Sequence, residues 1–486
     1  MIKNRFPKLL TLSAVALLAG CSLIPVHERP AAPIAATYPA YGGPAVTASA
    51  DASPASSVAW QDFFADSELK RLIGLSLANN RDLRVAVLNI EQARAQYQIR
   101  RADQLPTVNG VFSGSRTPTA SGGINSLYNV GLAVTAYELD FFGRVSSLKE
   151  AALGQYLATQ EGRKTAQISL IAALANTYLS LLADEELLDI TRQTLATRED
   201  SMKLSKLRFD NGVTSELDYR QAESLAEAAR VAYAQQQRQR ALDLNALTLL
   251  VGQPLPEWSA DLAPPAGPRA PLVQAQPMAD VPAGLPSELL THRPDIRQAE
   301  QLLLASNANI GAARAAFFPR IALTVGAGSA SGQLSGLLKG GSWGWTIAPQ
   351  LVLPIFDAGR NQAGLDSARV GRDIAIAQYE KAIQTAFREV ADALATRATL
   401  ADQLGAQQRQ ATAEATRFKL SDLRYQNGIS SYLDLLDAQR SLFSARQAVV
   451  QTRLAQLQSQ VTLYKTLGGG WKEPAESLDA PAAPRP

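Results

Sequence analysis

The amino-acid sequence predicts an α+β membrane protein made of two internal repeats, each with two β-strands and one long helical hairpin. The first observation is a repeated segment: LRFDNGVTSELD, from Leu207 to Asp218, recurs as LRYQNGISSYLD, from Leu423 to Asp434, without a gap. The second is the absence of proline from 119 to 253 and from 355 to 473, which permits very long helices. The third is that two stretches before each copy have apolar residues at every second position, as β-strands do.

The first 20 residues are typical of a signal peptide. Three basic residues precede a short apolar stretch that ends in Leu18-Ala19-Gly20-Cys21. This ending is similar to the bacterial lipobox, in which cleavage leaves the cysteine as the first residue with lipid attached. We therefore expect a covalent lipid on Cys21; the alternative is a buried free cysteine behind an ordinary signal. Ser22, rather than aspartate, follows it, which implies sorting to the outer membrane by the same resemblance.

The remaining chain divides into a tether, two repeats, a linker and a tail. Residues 21–59 are rich in proline and alanine and are expected to form an extended tether, while 252–287 form a Pro-rich linker and 471–486 a polar tail. The repeats cover 60–251 and 288–470. Each is expected to run as a helix, a β-hairpin and a long helical hairpin.

Within the first repeat, one helix is expected from Asp66 to Gln104, and a β-hairpin at about 107–139. The corresponding hairpin of the second repeat is expected at about 320–354. Asn-Gly tolerates positive φ, so Asn211-Gly212 and Asn427-Gly428 are predicted to turn the chain at the tips of the helical hairpins. No later run of about 18 apolar residues occurs, so no transmembrane helix is expected.

Four strands cannot close a barrel by themselves. Open sheet edges in a bilayer would leave backbone groups unpaired, at a cost of several kcal/mol each. Closure must therefore come from further copies of the chain, and the long hairpins also need neighbours for their apolar seams. The residues alone leave trimer and tetramer open.

Composition excludes several functional classes. The net charge of +3 is small for 486 residues and gives no reason to expect nucleic-acid binding. Two histidines without ligand spacing and a single cysteine argue against a metal site or Cys/His chemistry. No phosphate-binding Gly-rich loop is present. We expect no enzyme activity and no cofactor other than the lipid on Cys21.

Five segments carry a resemblance to the TolC-like outer membrane factor family, and within it to the OprM type: Arg81–Asn89, Ala308–Pro319, Gln378–Phe387, Leu435–Phe443 and Tyr464–Trp471. The resemblance implies a homotrimer with a 12-stranded outer-membrane β-barrel, four strands from each chain, continued by a long periplasmic α-helical barrel. It implies the exit channel of a tripartite multidrug efflux pump, which docks a periplasmic adaptor and an inner-membrane transporter of the resistance-nodulation-division (RND) type. The outer-membrane duct of a type I protein secretion system is the alternative.

The candidate site lies just after the second tip. Asp437 and Arg440 are three residues apart and are expected to neighbour each other on one helix face. By the resemblance, Leu433 is the apolar constriction of a periplasmic aperture, Asp434 and Asp437 form an acidic ring that favours cations, and Arg440 latches the ring. The alternative is an ordinary solvated helix start with a surface ion pair.

Further residues extend this candidate aperture. Asp218 matches Asp434 through the repeat, and Tyr425 stands where the family places a latch tyrosine. Asp184 is expected either to line the tube near the aperture or to be an exposed helix carboxylate. The tips Asn211, Gly212, Asn427 and Gly428 are candidate contacts for the adaptor, or they only make the turns.

Overall fold

The computed structural model describes residues 22–39, 55–120, 122–256, 272, 278–282 and 284–471. The predicted signal peptide, the lipidation residue Cys21 and the tail beyond residue 471 lie outside the described residues. Most of the predicted linker and residues 40–54 of the predicted tether also lie outside them.

The helices and strands repeat along the chain as the sequence predicts. The first repeat contains α1 (Trp60–Phe63), α2 (Ser67–Asn79), α3 (Arg81–Ala102), β1 (Val108–Pro118), β2 (Ile124–Leu139), α4 (Arg144–Asp210) and α5 (Glu216–Val251). The second contains α6 (Pro286–His292), α7 (Pro294–Ala315), β3 (Arg320–Ser331), β4 (Trp343–Val352), α8 (Arg360–Gln426) and α9 (Tyr432–Thr466). Helices α4 and α8 each have 67 residues, and the return helices α5 and α9 have 36 and 35.

The single helix expected from Asp66 to Gln104 is wrong, because the chain breaks at Asn80. The backbone of Asn80 is extended, and its side-chain oxygen accepts a hydrogen bond from the Leu83 amide at 3.0 Å, which caps the start of α3. Its amide nitrogen donates to the Leu250 carbonyl at 3.0 Å, at the end of the return helix. The helical periodicity continues across this capped break, so the sequence pattern does not reveal it.

The four strands form one antiparallel sheet in the order β1-β2-β3-β4 within the described part of the chain. The register pairs Phe112 with Val130, Leu132 with Ala327, Ala327 with Trp345 and Val325 with Ile347. The large apolar side chains of β1, β2 and β4 therefore share one face, and they are exposed: Phe112, Val130, Leu132, Trp345 and Ile347. An exposed apolar face on an open-edged sheet is what a membrane barrel assembled from several chains requires.

The described residues fall into two compact units, each built from both repeats. One contains the described residues before Pro33, together with Leu88–Glu161 and Arg297–Ala382, and it holds the sheet. The other contains the described residues of Pro33–Val87, of Gly162–Ile296 and from Ile383 onward, and it holds both helical tips.

One described helix, α4, is long and apolar enough to cross a membrane by length and composition. It contains an 18-residue stretch with a mean hydropathy of 1.5, of which 56% is buried inside the protein. The sequence expectation of no such helix rested on uninterrupted apolar runs and missed this stretch. A buried core helix passes the same test, so the stretch is weak evidence for a membrane span.

The start of the tether is fastened to α7. The Leu23 carbonyl accepts from Arg314 Nη1 at 3.1 Å, and Arg29 makes two 2.9 Å contacts with the Glu300 carboxylate. An extended chain from Leu23 to Arg29 spans about 20 Å, as does an α-helix from Glu300 to Arg314, so the segment fits along the helix in the opposite direction. At Gly311 any side chain would collide with Ile24, since a Cβ there would lie 2.6 Å from its Cγ1.

Candidate functional site

Both predicted tips are turns that end a long helix, and they have the same hydrogen bonds. Gly212 has φ +70° and Gly428 has φ +71°, so each occupies the left-handed region that favours glycine. At the first tip, the Gly212 amide bonds the Phe209 carbonyl at 2.9 Å and the Val213 amide bonds the Arg208 carbonyl at 2.8 Å. This pair of bonds is a Schellman motif, and the second tip repeats it. The turn prediction is confirmed at both sites.

The side chains of Asn211 and Asn427 also cap these helices. Each amide nitrogen donates to a carbonyl one turn earlier, Leu207 and Leu423 respectively, at 2.7 Å. The apolar residues just past the turns are left exposed: 74% of Val213 and 66% of Ile429. The tips thus present apolar side chains on rigidly capped turns.

The two repeat-related aspartates cap the helices that leave the tips. Asp434 accepts from the Ser431 amide at 3.2 Å and the Ser431 hydroxyl at 2.9 Å, while its own amide bonds that hydroxyl. This is a capping box at the start of α9. Asp218 accepts from the Thr214 and Ser215 hydroxyls at 2.7 and 2.9 Å, and the Thr214 bond holds the pKa of Asp218 below its ordinary value. Both carboxylates therefore have a structural role within the protomer.

Tyr425 links the two tips. Its hydroxyl accepts a hydrogen bond from Arg208 Nη1 at 2.8 Å, and the guanidinium carbon lies 5.3 Å from the centre of its ring. Arg208 lies in the last turn of α4 and Tyr425 in the last turn of α8, so the contact joins the first repeat to the second. Sequence reasoning missed Arg208, although the repeated Leu-Arg pair at 207–208 and 423–424 was a signal for it.

The predicted pairing of Asp437 with Arg440 is wrong within the protomer. Asp437 instead forms an ion pair with Arg417 of α8, which also bonds Glu414 at 3.2 Å. The long α8 runs beside α9 and places a guanidinium across from Asp437, where the two side chains meet directly. A helix-spacing argument considers only one helix and could not have found this partner.

The candidate aperture residues share one exposed face at the start of α9. Leu433, Asp434, Asp437 and Arg440 are all exposed, and 57% of Leu433 is accessible. The opposite face is buried in an apolar cluster formed by Tyr432, Leu435 and Leu436 with Ala222 and Leu225 of α5. Packing of this cluster fixes the orientation of α9 and therefore of the exposed stripe, which consists of Leu433, Asp434, Asp437 and Arg440.

Asp184 is not an aperture residue. It is 6% exposed, and its Oδ1 accepts from Gln236 Nε2 of the return helix at 2.8 Å. It also lies about 40 Å along α4 from the first tip. Burial, and then the nearby Asp243 carboxyl, raises the pKa of Asp184 to about 7. The acid belongs to the packing between α4 and α5.

No cluster of three or more histidine, cysteine or acidic side chains suited to a metal ion occurs among the residues that the structure describes. Asp218 and Asp434 instead accept hydrogen bonds from hydroxyl groups, and Asp437 pairs with Arg417.

The family becomes clear from a comparison with known proteins. A family model described as outer membrane efflux protein matches residues 72–253 and 285–469, which together make up most of both repeats. The chain belongs to this family. It is 50% identical over 473 residues to the toluene efflux pump outer membrane protein TtgC of Pseudomonas putida, with 96% of each chain covered. It is 44% identical over 463 residues to the outer membrane protein OprJ of Pseudomonas aeruginosa, with 94% of each covered.

Solved structures agree with this membership. The crystal structure of the open state of the MtrE outer membrane channel of Neisseria gonorrhoeae superposes with a TM-score of 0.82 and 42% identity, covering 93% of this chain and 98% of that one. The fold class predicted from the sequence is confirmed: an α+β chain that contributes four strands to a trimeric outer-membrane β-barrel and carries long periplasmic helical hairpins. The protein is an outer-membrane efflux channel.

Proposed function

We propose that the chain is the exit channel of a tripartite RND-type pump, that it conducts antibiotics and other toxic small molecules passively, and that it is gated at the helical tips. The observation that carries the gate is the exposed stripe at the start of α9, because Leu433, Asp434 and Asp437 stand on one face above a buried apolar cluster. Conduction of this kind needs no catalytic group in the channel. The energy comes from the inner-membrane transporter.

Three copies of this stripe around one axis would form the aperture. The three Leu433 side chains then supply an apolar constriction, and the carboxylates of Asp434 and Asp437 supply negative charge that favours cations. Arg440 is exposed and has no ion pair among the described residues of its own chain, so it is free to pair across the trimer.

Two arginine contacts hold the second tip to its neighbours within each protomer. Arg208 bonds Tyr425, and Arg417 pairs with Asp437. Outward movement of the α8–α9 hairpin relative to α4 would break the first contact, and separation of α9 from α8 would break the second. We propose both as latches of the resting channel. The solved open state of MtrE supports an opening step in a relative of this chain.

The periplasmic adaptor is proposed to engage the capped tips. Asn211, Gly212, Asn427 and Gly428 fix the turns, and the exposed apolar side chains of Val213 and Ile429 supply the contact area. Aspartate at both apolar positions should weaken cross-linking of the adaptor to the channel in whole cells, since it would place charge in an apolar interface. Unchanged cross-linking would contradict this assignment. Leu249→Asp is the control, because Leu249 is also an exposed apolar residue and lies about 50 Å along α5 from the first tip.

The lipid on Cys21 is proposed as a second anchor in the outer membrane. The support is the lipobox-like sequence together with the fastening of residues 23–29 to α7, which fixes the chain immediately after Cys21. The intact mass of the purified protein should show acyl chains on a chain beginning at Cys21, and Cys21→Ser should remove them. A wild-type mass without acyl chains would overturn the proposal.

A type I protein secretion duct would have the same fold and the same tips. The relatives at 44–50% identity, which span nearly the whole chain, include pump components named for efflux of toluene and antibiotics. We therefore place this chain with small-molecule efflux.

A further inference from the structure

Arg198 is a buried cation that has no acidic partner in the described part of the chain. It lies on α4 and is 5% exposed. Its Nη1 donates to the Leu225 carbonyl of α5 at 3.3 Å, and its guanidinium carbon lies 5.2 Å from the centre of the Phe443 ring on α9. Its Nε–H has no hydrogen-bond partner, and no carboxylate pairs with it among the described residues. The side chain therefore sits where α4, α5 and α9 meet.

The surroundings of Arg198 compensate its charge only in part. A carbonyl and an aromatic face give weak stabilisation compared with a carboxylate. Among the described residues, the charged group that acts on its pKa is Arg440, which has the same sign. Burial, and then Arg440, lower the pKa of Arg198. A buried charge without a counter-ion is among the most costly features of a protein interior.

The same helix junction contains a second unsatisfied group. The side-chain oxygen of Gln439, one turn before Phe443 on α9, is buried and accepts no hydrogen bond from any residue that the structure describes. Near the tip, α9 packs against the first-repeat hairpin through the apolar side chains of Tyr432, Leu435 and Leu436. Further along α9, the same packing buries polar groups that lack hydrogen-bond partners among the described residues. Water could satisfy both groups if α9 moved away.

We propose that Arg198 biases the tip toward opening, by making the closed packing of α9 against α4 and α5 costly. The apolar cluster and the two latches hold the closed tip, and the uncompensated guanidinium opposes them, so that the two states stay close in free energy. Release of α9 hydrates Arg198 and separates it from Arg440. This inference rests on the proposed gate, and it assigns to Arg198 a role in the equilibrium between the closed and the open tip.

Arg198→Met tests the inference, because methionine keeps much of the volume and removes the charge. In planar lipid bilayers the purified Arg198→Met trimer should show a ratio of open to closed time about tenfold below that of wild type. Amide hydrogen exchange in residues 432–443 should also slow about tenfold. Arg230→Met, which removes an exposed arginine of α5 that pairs with Glu199 and Glu227, should leave both readouts unchanged.

Opposite outcomes would overturn the inference. A higher open ratio and faster exchange in Arg198→Met would make Arg198 a latch, acting through Leu225 and Phe443. An unchanged ratio of open to closed time and unchanged exchange would show that Arg198 has no effect on opening. Should Arg198→Met not assemble, Phe443→Leu offers a second test, because it removes the ring that partly compensates the charge and should therefore speed amide exchange. This increase should largely remain in the Arg198→Lys background, where the positive charge is kept. It should shrink more in the Arg198→Gln background, where the charge is absent. A wild-type protein that forms no channel would refute the proposed function itself and leave the exchange result as the test of Arg198.

Discussion

Arg208→Ala combined with Arg417→Ala is expected to open the resting channel. The first change removes a charged hydrogen bond to Tyr425, which contributes about 1.5–3 kcal/mol in typical proteins, and the second removes the exposed ion pair between α8 and α9. Each protomer has both contacts. The ratio of open to closed time in planar bilayers should therefore rise by about tenfold or more.

Matched variants distinguish a latch from a general loss of positive charge. Arg220 and Arg230 lie on α5 and pair with glutamates on the protein surface, so Arg220→Ala with Arg230→Ala removes the same charge without touching a latch. That control should behave as wild type. If the two double variants have the same conductance, the latch assignment is wrong.

Asp437→Ala should also reduce the preference for cations in the same recordings, because it removes a carboxylate from the proposed ring.

Leu436→Ala is expected to lower the stability of the tip, whereas Leu433→Ala is expected to change conduction with little loss of stability, although the two residues are only three positions apart. Leu436 is 1% exposed and packs in the tip cluster, so its truncation should cost about 2–5 kcal/mol and make the tip sensitive to protease. Leu433 is exposed in the protomer, and its truncation should cost little stability. If Leu433 forms the constriction, Leu433→Ala should nevertheless raise single-channel conductance.

This comparison is informative because both variants remove the same atoms from the same helix. Equal protease sensitivity would contradict the packing of α9 that the structure shows. A Leu433→Ala channel with wild-type conductance would remove Leu433 from the aperture and leave the acidic side chains as the candidate constriction.

Much of the fold follows from patterns that the sequence displays directly. The repeat of Leu207–Asp218 at Leu423–Asp434 predicts two equal hairpins, and the structure has long helices of equal length that end in identical turns. Asn-Gly is informative because few residue pairs accept the left-handed conformation of the Schellman motif. Period-two alternation likewise locates the strands, since one face of each must be apolar in the barrel.

The parts that the sequence did not predict depend on contacts between distant segments. Asn80 interrupts a continuous helical pattern because its side chain reaches the Leu250 carbonyl. Asp437 pairs with Arg417 on another helix, and Asp184 turns toward Gln236 and away from solvent. Arg198 reads as an ordinary surface arginine in the sequence, and only the meeting of three helices makes it a buried charge. Periodicity reports which face is apolar but does not say which polar side chains meet across it.

The most direct test of the account is the susceptibility of a strain that lacks this chain to several unrelated antibiotics and dyes, with and without a restored wild-type copy. A passive exit channel of a multidrug pump predicts hypersusceptibility to several compounds at once, reversed by the wild-type copy. Unchanged susceptibility, in cells where the pump's adaptor and transporter are present and this protein is expressed, would contradict the efflux role.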